Sequence, residues 1–494
     1  MGEGILDVLH WLRLLFSSDK SLHKARFATA YELKELAQRT PVTNGLLLGR
    51  RGAGDVVSVV PTKTRRELGN LLIVGPTRSG KGLLATSQLL SWQHSVIVND
   101  IKGELFASTA GYRSTLGPVF VIDPTGVGHC YNPLHGKRTE DEFFSAASHL
   151  LFTPNEGEGA IFTQRAIVML SQVFLAAFLE NAPPLPYARH LIRSGLGATA
   201  KRLHTVSPIL ATQFLDVSFE EANLSDRFLL SSWGTLTARM RPLLTETVVR
   251  CFTRSDFDAS LLLCAEKPVS IYLRWPERDL LALSPLVRLL WGSLIDELIT
   301  VYDKREGHGC HPVLLLLDEA GRTAIPSLAD SATTVVGRGI SLWIAIQSLS
   351  QLEAVYGKAR AQVLRDNMES QLYYRPSDLA TANYLEERLG SKSAYAHSTT
   401  LRDGEETSEG QTERPIPLLT AQEILQLADE EVLAFHRRLP PFKLQRMDWR
   451  TDPLLRSRKT IHPPVLSLLP EVTEIAPVQP VPVLHDYIDP DTLK

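Results

Sequence analysis

The sequence has few cysteines and almost no net charge, and each of these shortages excludes a class of protein. Only four cysteines occur in 494 residues and no two form a CxxC pair, so neither a disulfide framework nor a cysteine zinc site is expected. Such sparse cysteine fits a reducing cytoplasm. The 52 basic and 55 acidic side chains nearly cancel, which leaves no global attraction for nucleic acid or membranes. A narrow basic channel for DNA would nevertheless be lost in such a sum.

Long uninterrupted apolar runs are also lacking, although a membrane-spanning helix needs roughly 20 apolar residues. The nearest run, residues 5–16, is interrupted by Asp7, His10 and Arg13. These recur at every third position and would form one polar stripe on an otherwise apolar helix. The pattern predicts a terminal amphipathic helix that packs on its own domain or, alternatively, lies on a membrane or docks a partner.

What remains is an average globular composition, 44% apolar and 22% charged, in a chain long enough for two or three domains. Short apolar runs at 71–74, 95–98 and 119–122 each lead into a glycine-rich or acidic turn, which is typical of parallel strands buried on both faces. Strand-like runs are scarce and helical periodicity frequent between residues 139 and 255, and apolar strand patterns resume at 269–273. The sequence therefore predicts an α/β fold with an inserted all-α domain.

The strand at 71–74 leads into a GxxxxGK string, and a helix-compatible stretch follows. The loop consists of Gly75, Pro76, Thr77, Arg78, Ser79, Gly80, Lys81 and Gly82. In this context the string predicts a P-loop, whose backbone N–H groups surround phosphates while Lys81 reaches the terminal ones. Gly82 departs from the general motif, which has a serine or threonine there to bind magnesium. Either water replaces that ligand or a hydroxyl one turn on, such as that of Thr86, does so indirectly.

A second apolar run, 314–317, ends in Asp318 and Glu319. It predicts a buried strand that delivers two carboxylates to the sheet edge, where Asp318 would hold Mg²⁺ through water and Glu319 would polarise an attacking water. Gln347 ends the following strand and is either a sensor of the terminal phosphate or a surface cap. Arg338 precedes that strand and is either an arginine finger acting on a neighbouring subunit or a salt-bridged surface residue. Asp100, after the strand at 95–98, is either a contact to Lys81 or magnesium or a helix cap.

Several strings occur in a fixed order along the chain: GPTRSGKG after LLIV, VIVNDIKGEL, YNPL at 131–134, LLLLDEAGR, and GRGISLWIAIQSLSQLEAVYG. Together they resemble the coupling proteins of type IV secretion, the TraG/TraD-like branch of the HerA–FtsK superfamily. The resemblance covers residues 50–136 and 258–450. A glycine at the position of Gly82 is common in that family.

The resemblance implies a RecA-like ATPase core that binds ATP and Mg²⁺, carries an all-α insertion and assembles as a homo-hexamer. Lys81 would bind phosphate, Asp318 would hold magnesium, Glu319 would activate water, Gln347 would act as sensor and Arg338 as intersubunit arginine. The implied function is to deliver relaxase-bound single-stranded DNA, protein substrates or both to the secretion channel. Alternatives are an FtsK/HerA-like DNA translocase in another process and a nucleotide-binding adaptor that does not pump.

The implied partners are the relaxosome, the secretion ATPases and inner-membrane components. Family members typically begin with transmembrane helices, which this sequence lacks, so we expect a cytoplasmic protein held at the inner membrane peripherally or through a partner. The predicted division comprises an N-terminal segment (1–40), two parts of a nucleotide-binding domain (41–138 and 256–452), the all-α insertion (139–255) and a proline-rich acidic tail (453–494). A mobile loop is predicted at 391–412.

Overall fold

The computed structural model describes residues 23–470, with gaps at 40–43, 53–54, 63–64, 152–156, 158, 323–324, 326 and 403–404. The predicted amphipathic segment 5–16 and most of the predicted tail lie outside the described residues, so those two predictions stay untested.

A mixed sheet of 13 strands forms the centre of the described part of the chain, in the order β1-β3-β2-β15-β14-β11-β4-β10-β9-β5-β8-β6-β7. The run from β11 to β6 is parallel, whereas the strands on either side of that run pair antiparallel. A separate hairpin consists of β12 and β13. The strands are β1 Ala37–Arg39, β2 Leu46–Arg51, β3 Asp55–Val59, β4 Leu71–Val74, β5 Ser95–Asp100, β6 Val119–Asp123, β7 Val127–Gly128, β8 Ser270–Arg274, β9 Val313–Leu317, β10 Ile340–Ile346, β11 Ser370–Tyr374, β12 Ser391–Arg402, β13 Glu405–Pro417, β14 Glu431–His436 and β15 Phe442–Gln445.

Helices cover both faces of the sheet, as parallel strands require. They are α1 Lys81–Ser91, α2 Glu104–Leu116, α3 Glu140–Leu151, α4 Ala160–Leu179, α5 Pro184–Ser194, α6 Leu196–Val206, α7 Pro208–Leu215, α8 Arg227–Met240, α9 Glu246–Arg250, α10 Leu261–Cys264, α11 Leu280–Lys304, α12 Leu328–Thr334, α13 Leu349–Tyr356, α14 Lys358–Asp366, α15 Leu379–Leu389, α16 Ala421–Leu425 and α17 Pro453–Lys459. The architecture is the α/β arrangement that the sequence predicts.

Two of the central parallel strands, β4 and β9, are unbroken apolar runs because both of their faces are covered. Every residue of β4 and β9 is buried, and so is every residue of β10. β4 lies between β11 and β10, and β9 lies between β10 and β5. The carboxyl ends of these strands therefore meet along one edge of the sheet, which is where ligands bind in open α/β sheets.

The helices α3 to α10 form the part of the chain where the sequence predicts an all-α insertion. They follow β7, and the chain then returns to the sheet as β8 beside β5 and β6. Among the described residues, α4 alone is long and apolar enough to span a membrane by length and composition, a feature that counting uninterrupted apolar runs misses. Ten of its residues, including Met169, Leu170 and Phe174, are buried against neighbouring helices. The limits of the insertion as a domain stay a prediction.

The prediction of a mobile loop at 391–412 is wrong, because this stretch forms most of the hairpin of β12 and β13. The backbone of residues 23–25 pairs with the base of this hairpin. Ala25 N–H donates to the carbonyl of Ser391, and Ser393 N–H donates to the carbonyl of His23. A composition rich in serine, threonine and charge occurs in hairpins as well as in loops, so composition alone does not separate the two.

A buried histidine at the end of β14 predicts acid sensitivity. His436 is 4% exposed and shares one hydrogen bond of 2.8 Å with Ser370 Oγ. Burial lowers the pKa of its imidazole to about 4. The unfolded chain binds a proton near pH 6.5, so stability is lost as pH falls from that value toward 4.

We expect wild type to lose about 2–3 kcal/mol more unfolding free energy than His436→Gln between pH 7 and pH 4.5. Chemical denaturation at both pH values measures this difference. The exposed His308→Gln variant is the matched control and should follow wild type. Equal losses in wild type and His436→Gln would contradict a neutral buried imidazole.

Candidate active site

The predicted site residues other than Arg338 converge because their strands are neighbours. Val74 at the end of β4 pairs with Ile346 at the end of β10, and Gly75 N–H donates to the Ile346 carbonyl at 3.1 Å. Gln347 therefore leaves the sheet beside the P-loop. Leu317, which precedes Asp318, lies in β9 on the other side of β10. With strands about 4.8 Å apart, the loop and the two carboxylates are separated by roughly two strand spacings.

The P-loop backbone turns tightly and requires glycine at positions 75 and 80. Arg78 and Gly80 adopt left-handed conformations, with φ of 66° and 110°. A Cβ on Gly75 would lie 2.7 Å from Ser79 Oγ and 2.8 Å from Tyr374 Cβ. A Cβ on Gly80 would come within 3.1 Å of Arg446 Cδ. The concave loop is thus closed from behind by side chains of β11 and of the turn after β15.

Lys81 folds back into this loop. Its Nζ donates to the carbonyls of Gly75 at 2.5 Å and Pro76 at 2.8 Å, and the residue is only 8% exposed. Burial lowers the pKa of the ammonium, while the charges of Asp318 and Glu319 oppose that effect. Ser79 Oγ is buried and has no hydrogen-bond partner among the described residues. A charged amine held only by carbonyls and an unpartnered hydroxyl in one cradle fit a phosphate group.

The Asp318 carboxyl is buried close to two other acidic side chains, those of Glu319 and Asp100. Burial and the neighbouring Glu319 raise the pKa of its carboxyl to about 6, Lys81 opposes the shift, and Asp100 adds to it. Its Oδ1 accepts from Glu319 N–H at 3.1 Å, and Asn99 Nδ2 donates to its carbonyl at 3.1 Å. A carboxyl that is costly to ionise alone is suited to a cation, because a bound cation offsets that cost. These residues fit the predicted magnesium site.

Glu319 is in a left-handed backbone conformation, with φ of 54°. That conformation costs a non-glycine residue about 1 kcal/mol or more and is concentrated at functional sites. Its carboxylate lies 3.3 Å from Lys102 Nζ and 3.0 Å from Arg322 Nη1. The carboxylate of the predicted catalytic base therefore forms ion pairs with two cations.

Asp100 serves as a helix cap. Its carboxylate accepts from Leu105 N–H at 3.3 Å and from Phe106 N–H at 2.7 Å, in the first turn of α2. Burial raises the pKa of this carboxyl. Of the two alternatives left open by the sequence, the structure provides direct contacts for the cap; the charge of Asp100 still acts on Asp318.

Arg338 lies away from the other predicted site residues. It precedes β10, at the amino edge of the parallel strands, whereas the P-loop follows β4 at the carboxyl edge. Its guanidinium binds both carboxylate oxygens of Asp303 at 2.8 Å and donates to the Thr334 carbonyl at 2.9 Å. Arg338 therefore cannot contact the P-loop of its own chain, and an action on nucleotide would have to be in a neighbouring subunit.

The sequence patterns do not single out Lys102 and Arg322, which contact Glu319, or Glu277, which pairs with Arg322. They also do not single out Tyr374 and Arg446 behind the loop. A usable signal existed for Lys102, because it follows a strand whose neighbour ends in two carboxylates that need a counter-charge. No comparable signal marks Arg446, which reaches the loop only through the antiparallel pairing of β15 with β14.

Gly82 leaves room for a side chain. It is the second residue of α1, and a Cβ there meets nothing within 4 Å, while Thr86 lies one turn further and is buried.

We expect Gly82→Ser to add a hydroxyl ligand and to lower the magnesium concentration for half-maximal nucleotide binding by about tenfold, or 1.4 kcal/mol. Titration of magnesium with a fluorescent nucleotide measures it, and Gly82→Ala is the control that adds Cβ alone. Equal shifts in both variants would exclude a contribution from the hydroxyl.

The fold and this edge define the chain as a P-loop nucleotide-binding protein with an α/β core. The sequence profile of one family, type IV secretory system conjugative DNA transfer, matches residues 30–467. The chain belongs to that family. It is 27% identical over 429 residues to protein VirD4 of Rhizobium radiobacter and 27% identical over 397 residues to conjugal transfer protein TraG of Escherichia coli. These alignments cover 83% and 72% of this chain but only 60% and 61% of the relatives, so the chain spans about 60% of their length.

Solved structures share the fold. The bacterial conjugative coupling protein TrwBdeltaN70 superposes with a TM-score of 0.66 at 16% identity, covering 86% of this chain and 94% of that one. The plasmid coupling protein TrwB in complex with ADP and Mg²⁺ gives a TM-score of 0.63 at 17% identity, covering 86% and 94%. The RecA-like α/β fold predicted from the sequence is confirmed.

Proposed function

We propose that this chain is a coupling-protein ATPase, which uses ATP hydrolysis to drive relaxase-bound single-stranded DNA, protein substrates or both toward a type IV secretion channel. One observation carries the proposal: the P-loop and the Asp318–Glu319 pair converge at one sheet edge in a chain of the conjugative DNA-transfer family. The complexes of TrwB with ADP and Mg²⁺ and with an ATP analogue support the proposal that this chain binds nucleotide and magnesium.

The residues divide the work of hydrolysis. Amides of residues 75–82 bind the phosphates, and Lys81 exchanges its two carbonyl partners for phosphate oxygens. Asp318 would hold magnesium, which when bound supplies positive charge that neutralises the phosphates. Glu319 accepts a proton from the attacking water, and Gln347, beside the loop, orients that water. These roles are proposals that rest on position and on chemistry.

The partners are proposed from the family. Single-stranded DNA with relaxase and relaxosome proteins would be the cargo, and the secretion ATPases with inner-membrane components would receive it. We propose a homo-hexamer, since Arg338 lies too far from its own P-loop to act there and an adjacent subunit would supply the second half of each site. The ring would work at the cytoplasmic face of the inner membrane, held peripherally or through a partner.

The test is the ATPase rate as a function of protein concentration, with and without single-stranded DNA. A ring predicts that the rate per subunit rises steeply with concentration, since isolated subunits lack the neighbour's arginine, and that single-stranded DNA raises it further. The Glu319→Gln variant is the blank for contaminating activity. A rate per subunit that is independent of concentration and of DNA would contradict the pump and favour a nucleotide-binding adaptor.

A further inference from the structure

Four charged side chains form a continuous chain of ion pairs at the rim of the proposed hydrolysis site. Lys102 Nζ lies 3.3 Å from Glu319 Oε1, Arg322 Nη1 donates to Glu319 Oε2 at 3.0 Å, and the same Nη1 donates to Glu277 Oε1 at 2.6 Å. Each of the two Glu319 oxygens therefore contacts a different cation. We refer to Lys102, Glu319, Arg322 and Glu277 as the rim chain.

The rim chain connects three separate elements. Lys102 follows β5, Glu319 and Arg322 lie after β9, and Glu277 lies in the short 3₁₀ segment Glu277–Asp279 before α11. The backbone at Glu319 is also tied to a rim-chain residue, since Arg322 N–H donates to the Glu319 carbonyl at 2.9 Å. The side-chain position of Glu319 is thus set by neighbours that the P-loop does not include.

Side-chain exposure within the rim chain is lowest at Glu319 and highest at Glu277. The Glu319 side chain is 17% exposed, Arg322 is 30%, Lys102 is 41% and Glu277 is 55% exposed. The carboxylate is the innermost member, and the cations approach it from the solvent side. Glu319 is also the largest cause of the raised pKa of the Lys102 ammonium.

We propose that Lys102 and Arg322 are positioning residues that restrain Glu319 in the nucleotide-free protein and release it when nucleotide phosphate arrives. This inference rests on the proposed function. Each cation has another anion to bind: phosphate at the same edge for Lys102, and Glu277, already at 2.6 Å, for Arg322. Release leaves both oxygens of Glu319 open to a water molecule. No covalent step is involved in the release itself.

The competition for Arg322 gives expectations of opposite sign. Lys102→Met and Arg322→Gln each remove one restraint, so the ATPase rate without DNA should rise about three- to fivefold, the scale of one partly exposed ion pair. Glu277→Gln removes the competing partner of Arg322, tightens its hold on Glu319 and should lower that rate by a similar factor. KM for ATP should stay unchanged in Glu277→Gln, because Glu277 does not contact the P-loop.

A second readout does not depend on hydrolysis. In the nucleotide-free protein, hydrogen exchange of the backbone amides at 318–322 should be faster in Lys102→Met and Arg322→Gln than in wild type. Lys304→Met, an exposed lysine at the far end of α11, is the matched control and should leave exchange and rate unchanged.

The two readouts separate the possible failures. If exchange responds but no variant or wild type hydrolyses ATP, the restraint stands and the proposed ATPase function is wrong. If wild type hydrolyses ATP but neither exchange nor the DNA-free rate responds to Lys102→Met and Arg322→Gln, the restraint is wrong. A lower rate in all three charge-removing variants would also overturn it, because the opposite sign expected for Glu277→Gln would be lost.

Discussion

Glu319→Gln should lower ATP hydrolysis by about 10²- to 10⁴-fold, the usual contribution of a positioned general base. The amide keeps the shape of the side chain but cannot accept a proton from water. Nucleotide binding should persist or strengthen, since neutralising Glu319 frees the positive charges of Lys102 and Arg322 at the phosphate-binding edge. Phosphate release measures the first effect, and equilibrium binding of a fluorescent ATP analogue measures the second.

Lys81→Ala is the companion variant and should fail at the earlier step. Its ammonium donates to two loop carbonyls, so its removal leaves those carbonyls facing the phosphates without the intervening cation. Loss of nucleotide binding together with hydrolysis is the expected result. Should Glu319→Gln hydrolyse ATP at the wild-type rate, another group would be the base. Should it support substrate transfer without hydrolysis, the chain would be an adaptor.

The sequence predicts the centre of this fold well because each parallel strand is a short apolar run with a distinctive exit. The runs at 71–74 and 314–317 fall in β4 and β9, since strands covered on both faces favour apolar side chains at successive positions. These strand exits also predict the site, because the carboxyl ends of parallel strands share one edge of the sheet. It also explains why the insertion does not break the sheet: β8 returns to pair with β5 and β6 after more than a hundred intervening residues.

The remaining features depend on contacts between distant segments. β1 to β3 extend the sheet only through the pairing of β2 with β15, where Gln445 lies opposite Arg50, about four hundred positions apart in sequence. The hairpin of β12 and β13 has a polar composition with no apolar alternation to reveal it. Arg322 acquires its role from Glu277, which is brought near by β8 and not by any local pattern. The sequence around a single strand does not reveal which charged residue from another strand will pair with its own charged residues.

Arg338 gives the sharpest test of the ring. It lies at the amino edge of β10 and is bound to Asp303, so its use as a finger requires an adjacent subunit. Arg338→Ala should lower hydrolysis by about 10³- to 10⁵-fold, the range for arginine fingers. Nucleotide binding should be retained, because the P-loop of each chain is intact. Asp303→Asn is the control for the intrachain ion pair and should not reproduce the loss.

Mixing variants decides whether the arginine acts across the interface. Equal amounts of Arg338→Ala and Lys81→Ala subunits, each inactive alone, should regain activity, because about a quarter of randomly formed interfaces join an intact P-loop to an intact arginine. Lys81→Ala mixed with Glu319→Gln is the matched control, since both defects fall in the same half of the site and no interface becomes whole. Recovery in the first mixture alone places Arg338 in the neighbour's site. Without such recovery, the loss in Arg338→Ala would come from its pair with Asp303 within one chain.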